Sequence, residues 1–323
     1  MRDISEQLVK YLTDAHSIEV QALAQMKAAP KVAGDPRLAD AFRAHLTETE
    51  EHERLVRGRL AAHGAKPAPL KDLAGRVTGA GFVLFARSQP DTPGKLATHA
   101  FSYEHLELAA YDLLERVAER AGDAETADVA RRIRAQEDAM AGRLGESWDA
   151  AVEASLRDKG AEDLGDELES YLTDAHALEA QAIQLLGRAP RMAGTPELER
   201  TYREHLDESH GHQRLVEERL QARDAKPSRI KDAVMRLGAL NWGGFFSAQP
   251  DTPAKFAAFA YAFEHLEIGG YEQLRRVAQR AGDEQTAAAA ERILAEERVA
   301  AERVFRGFGP ALYASLEAVG ARA

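Results

Sequence analysis

The chain repeats itself without a gap. Tyr11-Leu12-Thr13-Asp14-Ala15-His16 returns as Tyr171-Leu172-Thr173-Asp174-Ala175-His176, and Lys66-Pro67 returns as Lys226-Pro227. Gln89-Pro90-Asp91-Thr92-Pro93 returns as Gln249 to Pro253, and Ala121-Gly122-Asp123 as Ala281-Gly282-Asp283. Every pair stands 160 positions apart. A constant offset across the whole length restricts the chain to one architecture made twice. The 323 residues suit two domains of ordinary size. They are expected at 1–158 and 164–323, joined through the polar stretch Arg157-Asp158-Lys159-Gly160-Ala161-Glu162-Asp163.

Alanine, glutamate, leucine and arginine dominate, while aromatic residues make up only 7%, a balance that favours helix over strand. Each repeat reads as four long helices. Helix A runs from Ile4 to about Lys27 and stops near Pro30 and Gly34. Asp35-Pro36 then supplies an N-cap and a first-turn proline for helix B, which ends near His63 before Gly64 and Pro67. Asp91-Thr92-Pro93 opens helix C, which ends at Ala121-Gly122, and Asp123 at once opens helix D, expected to reach about Trp148. The A–B link is short, whereas the stretch from helix B to helix C is long and carries a shorter, glycine-interrupted helix over Leu70 to Ser88. A long crossover between the second and third helices is the connection of a ferritin-like bundle. The expected fold is all-α: two tandem ferritin-like four-helix bundles.

The formal charge of −11 argues against nucleic acid, because phosphate binding needs clustered Lys and Arg. The absence of cysteine removes disulfides, thiolate metal sites and cysteine nucleophiles together. No apolar run approaches the ~18 residues of a membrane span, and Met1-Arg2-Asp3-Ile4-Ser5-Glu6 lacks the apolar region of a signal peptide. A cytoplasmic protein with no membrane partner is expected.

The unusual feature is where the acids fall. Residues three and four apart share a helix face, so Glu104, Glu107, Leu108 and Tyr111 point one way along helix C, with Ala97 and Phe101 before them. The same stripe on helix A holds Glu19 among Leu8, Leu12, Ala15, Ala22 and Met26. Helix B carries His45, Glu48 and His52 between Leu38 and Leu55, and helix D carries Glu137 between Ile133 and Met140. The second repeat has Glu179, His205, Glu208, His212, Glu264, Glu267, Tyr271 and Glu297 in the same places.

One such glutamate is commonly a snorkelling or partly buried residue. Five in each half demand more, since a buried unpaired carboxylate costs several kcal/mol or is forced to protonate. The repeated arginines Arg43/Arg203 and Arg132/Arg292 lie five residues from their glutamates, about 140° around the helix. Two divalent cations would bring four positive charges to these carboxylates. Oxygen and imidazole ligands without sulfur suit iron first and manganese next, with zinc admissible, and carboxylates that bridge hold two metals ~3.5–4 Å apart. Two metal ions per half are therefore expected.

The string Glu104-His105-Leu106-Glu107 with Tyr111, preceded by Tyr11 to Ala15 and by His45-Leu46-Thr47-Glu48-Thr49, resembles the YciE/YciF-type ferritin-like family. More distantly, the ligand layout is similar to rubrerythrin. The resemblance covers nearly all of both repeats and implies a di-iron or di-manganese bundle with a role in stress. By that analogy Glu19 is terminal on one metal, Glu48 bridges with His52 beside it, Glu104 or Glu107 bridges or is terminal, and Glu137 is the ligand from helix D. The second half offers Glu179, Glu208, His212, Glu264, Glu267 and Glu297. His45 and His205 are expected to help through a hydrogen bond or to make up missing nitrogen, and Tyr111 and Tyr271 to act as hydrogen-bonding core residues or redox tyrosines. Helix D has Met140 and Ala300 where the family pattern carries histidine, so one metal of each pair is expected to be poorer in nitrogen. His16/His176 and His105/His265 are read as supporting or surface residues.

Three activities fit this composition. The first is an oxidoreductase of ferroxidase, peroxidase or catalase type, the second a binding protein that buffers iron or manganese, and the third a metal-free structural stress protein. The two halves are expected to pack as a pseudo-dimer, in a monomer or small homo-oligomer rather than a 24-subunit cage.

Overall fold

The computed structural model describes residues 2–69, 92–228 and 251–322. Among them are ten α-helices, two short 3-10 turns and one pair of two-residue strands. The chain divides into two compact units, Met1–Arg157 with Gly320–Ala323, and Asp158–Val319.

In the first unit β1 (Arg2–Asp3) leads into α1 (Ile4–Met26) and α2 (Pro36–Ala62), followed by α3 (Thr92–Arg120), α4 (Ala124–Gly145) and the short α5 (Trp148–Ser155). The second unit repeats the pattern as α6 (Leu164–Leu186), α7 (Pro196–Gln221), α8 (Thr252–Arg280), α9 (Glu284–Arg306) and α10 (Phe308–Ala318). In each unit the first two long helices pack together, as do the last two. The first also lies against the third and the second against the fourth, which is the four-helix arrangement expected from the apolar stripes. β2 (Ala321–Arg322) pairs in parallel with β1, Arg2 with Ala321 and Asp3 with Arg322. Two residues are too short to show the alternating pattern by which strands are read.

The helix ends follow from local chemistry. Asp35 accepts from the backbone N–H of Arg37 and Leu38 at 2.8 and 3.0 Å, with Pro36 in the first turn. Between α3 and α4, Gly122 takes φ +71°, and Asp123 N–H donates back to the Ala118 carbonyl at 2.9 Å, the closing bond of a glycine-terminated helix. The Asp123 side chain then accepts from Thr126 N–H at 3.0 Å and from Arg59 of α2 and the His63 that follows it at 3.0 and 2.7 Å. One aspartate thus caps α4 and ties it across to α2, and this fixes the axial register of the two helices.

α4 ends at Gly145, short of the expected Trp148, and Trp148 begins a separate helix. The break turns Trp148 inward, where it meets the Phe101 ring edge-on at 5.2 Å. Ser155 of the same short helix accepts from Gly94 N–H at 2.9 Å, and Ser315 does so for Ala254. Each short helix therefore satisfies a free donor in the first turn of the third long helix. Phe42, Leu96, Met140, Leu144 and Trp148 form an apolar plug at this end of the first bundle. The expected helix over Leu70 to Ser88 lies outside the described residues. No helix among the described residues is long and apolar enough to cross a membrane.

Candidate metal centre

Midway along the first bundle the apolar packing gives way to acids and imidazoles. His45 of α2, Glu104 and Glu107 of α3 and Glu137 of α4 each turn a donor atom to one place, and Glu19 of α1, His52 of α2 and Glu137 turn donors to a second. Within each group the atoms lie within 4.8 Å of one another. His45 Nε2 stands 3.2 Å from Glu104 Oε2 and 3.3 Å from Glu137 Oε2. His52 Nδ1 stands 2.7 Å from Glu137 Oε1 and 3.8 Å from Glu19 Oε1. Glu137 belongs to both groups, one oxygen toward each. Every one of these six side chains is buried, none more than 1% exposed.

The second unit builds the same centre. His205, Glu264, Glu267 and Glu297 form one group, and Glu179, His212 and Glu297 the other. His205 Nε2 lies 2.7 Å from Glu264 and 3.6 Å from Glu297, while His212 Nδ1 lies 2.8 Å from Glu297 and 3.7 Å from Glu179. Here Glu297 is the shared acid.

Helical repeat explains the convergence. His45 and His52 are seven residues apart, about 20° short of two full turns, so both imidazoles lie on one line of α2. Glu104 and Glu107 are three apart and share a face of α3. Glu48 falls about 60° off the His45 line. The structure accordingly leaves Glu48 out of either group: its side chain is 30% exposed, accepting from His45 Nδ1 at 2.9 Å and from Arg143 at 3.2 Å. Glu208 does the same with His205 at 3.2 Å and Arg303 at 2.9 Å. From sequence, Glu48 and Glu208 are expected as ligands and His45 and His205 as supporting residues; the geometry puts His45 and His205 among the converging groups and leaves Glu48 and Glu208 outside them. Arginine also reaches one glutamate of each half, from the neighbouring helix rather than from the same one.

Each group contains one imidazole, His45 in the first and His52 in the second, and helix D contributes none. Tyr111 donates to Glu19, and Tyr271 donates to Glu179 at 2.5 Å, in keeping with hydrogen-bonding core residues. His16 is buried beside Glu53 at 3.0 Å, and His105 donates to the Phe101 carbonyl at 2.7 Å.

A test of whether cations fit comes from the polar atoms that find no hydrogen bond. Both oxygens of Glu104, Glu107 and Glu137, together with Glu19 Oε2, His45 Nε2 and His52 Nδ1, are buried and make no hydrogen bond among the described residues. Leaving such atoms unsatisfied costs ~1–3 kcal/mol each, yet here they all face the same space. The outer nitrogens are by contrast engaged: His45 Nδ1 on Glu48, and His52 Nε2 on Gln136 Oε1 at 3.0 Å. An acceptor on the outer nitrogen keeps the proton there and turns a lone pair inward, as in metal-ligating histidines generally.

Charge gives the same answer. Burial pushes Glu19 up to about 8 and Glu104 up to about 7, and it lifts Glu107 well above the usual carboxylate range, with Glu137 and Glu19 adding to the effect. Burial also acts on Glu137, but the two imidazoles outweigh it and hold Glu137 low, while the acids raise both histidines. With Glu48 neutralised by Arg143, four carboxylates remain to face the four positive charges of two divalent ions. The donor set fits the pair.

The family described as "Domain of unknown function (DUF892)" matches residues 3–157 and again residues 163–306. The chain belongs to this family, which it carries twice in tandem. No solved structure matches the chain.

Proposed function

We propose that each DUF892 unit of this tandem chain holds two divalent metal ions, iron first and manganese next, and that the protein is an oxidoreductase of ferroxidase or peroxidase type. The observation that carries the reading is the convergence of buried donors, Glu107 and Glu267 above all, whose carboxylates have neither a hydrogen bond nor an ion pair at either oxygen among the described residues. Glu137 and Glu297, which belong to both groups of their halves, would serve both positions. Glu19 with His52, and His45 with Glu104 and Glu107, are assigned as the ligands of the two positions, and Glu179, His212, His205, Glu264 and Glu267 take the same parts in the second half.

A pair of such ions, when bound, supplies the two electrons that reduce the O–O bond of a peroxide. The protein's own part is positional. Glu48 and Gln136 hold the imidazoles at a fixed angle through their outer nitrogens, and Tyr111 holds the Glu19 carboxylate by one oxygen. The four helices present these groups from rigid backbone, so little rearrangement is needed on binding. The apolar residues around Phe42, Met140 and Trp148 seal one end of the site. We place the protein as a monomer or small homo-oligomer, with no nucleic-acid partner.

The test is metal content followed by turnover. Protein purified without chelator should carry close to two equivalents of iron or manganese per half, and ferrous-loaded protein should be oxidised faster by hydrogen peroxide or dioxygen than free ferrous ion is. Bound metal without acceleration would favour a buffering protein instead, and no metal after reloading would leave only a helical scaffold.

A further inference from the structure

The two halves are not equivalent around their centres. In the second half a cleft of ≈ 320 Å³ opens between α7 and α9, lined by Asp207, Glu208, Gly211, His212, Arg292 and Glu296 among others. His212 is the wall between this cleft and the buried donors. Its Nε2 meets Glu296 on the cleft side at 2.9 Å, and its unpartnered Nδ1 faces Glu297 on the other. Glu208, also on the cleft, holds the second imidazole of the centre, His205.

In the first half the corresponding positions are Thr47, Glu48, Glu51, His52, Arg132 and Gln136. Two acids of the cleft are thus neutral there, Thr47 for Asp207 and Gln136 for Glu296. Where the second half has Gly211, the first has Glu51, and Arg132 donates to it across the helices at 2.5 Å. Without that partner Arg292 folds along its own helix onto Glu296 at 3.1 Å.

Gly211 has no structural reason to be glycine. It sits inside α7 without a positive φ, and an added Cβ would meet nothing nearer than the tip of Arg214 at 3.9 Å. A mid-helix glycine costs ~0.5–1 kcal/mol relative to alanine. What it does here is leave out the side chain that, in the first half, carries a bridge over the same place.

We infer that this cleft is the cation entry of the second-half centre, in which a divalent ion is first held by Asp207, Glu208 and Glu296, and that the Glu51–Arg132 bridge bars the same route in the first half. The inference rests on the metal-binding reading above. Carboxylates lining a recess attract cations and raise their arrival rate. Arg292 and Arg132 stand in the same place in the two halves, so what differs is the Glu51–Arg132 bridge across the first-half route and the acids at 207 and 296, which the first half lacks.

Uptake of manganous ion by metal-free full-length protein, followed by loss of the free-ion paramagnetic resonance signal, tests it. Two phases of similar amplitude are expected, the faster one weakened by added salt. Gly211→Glu should slow the fast phase about tenfold while keeping its amplitude, Gly211→Ala should leave it unchanged, and Glu51→Gly should speed the slow phase. Matching helical circular dichroism of the variants checks their folding. A single phase in the parent chain, or Gly211→Glu with both phases intact, overturns the entry route. No uptake in any variant overturns the metal reading itself.

Discussion

His52 Nδ1 and Glu137 Oε1 face each other at 2.7 Å, both side chains fully buried, in a geometry that makes no hydrogen bond. His212 and Glu297 repeat the relationship at 2.8 Å. Two donors aimed at one point and not at each other are placed for a third party.

Removing one unpartnered acid should move the metal-free and metal-loaded proteins in opposite directions. Glu107→Leu takes away a buried carboxylate with nothing to bind, so metal-free protein should gain ~1–3 kcal/mol, read as a melting temperature higher by several degrees. The same variant should lose metal from the first half only, lowering total content toward three-quarters or one-half. A metal-free variant that melts lower than the parent would contradict the reading.

The pH dependence has a definite sign. In metal-free protein Glu19 and Glu179, raised by burial to about 8, hold protons that the unfolded chain has already released. Glu104 and Glu264, at about 7, do so as well, and so does His212, raised against burial to about 9 by Glu297 and Glu179. The native state then binds more protons than the unfolded state, and stability falls as pH rises. Glu137 acts oppositely, but only below the ordinary carboxylate range. Metal-free protein should therefore melt ~5–10 °C lower at pH 9 than at pH 5.5. With manganous ion present the slope should vanish or reverse, because ligands bind metal deprotonated.

Glu48→Gln should weaken metal binding in the first half by about 10- to 100-fold without abolishing it, since the carboxylate orients His45 and is not itself among the converging donors. Complete loss of one ion, as in His45→Ala, would restore Glu48 to the bridging role that its sequence position suggests. Titration with manganous ion measures both.

Tyr111→Phe should keep the metal stoichiometry and lower metal-free stability by ~1 kcal/mol, the worth of one buried hydrogen bond to Glu19. A tyrosine needed for electron transfer would instead leave stability alone and abolish turnover.

Much of this was legible from the chain. The 160-residue offset implied a doubled fold, and the helix-C stripe of Glu104, Glu107 and Tyr111 implied buried acids. That His45 joins the converging groups while Glu48 stays outside them is harder to read, because both lie within one helical face by spacing alone. Only the axial line set by His45 and His52, seven apart, separates them. Arg143 pairs with Glu48 across helices, a relation that same-helix spacing does not reveal. The cleft at Gly211 is equally silent in one repeat; it appears when the two copies are laid side by side and Glu51 is found with Arg132.

The most direct measurement is anomalous scattering at the iron and manganese edges from crystals of protein never exposed to chelator. Two peaks in each half are expected, one on either side of Glu137 and of Glu297, with His45 and His205 rather than Glu48 and Glu208 in contact with the metal. Crystals soaked in ferrous or manganous salt that show no peak between these residues would contradict the central claim.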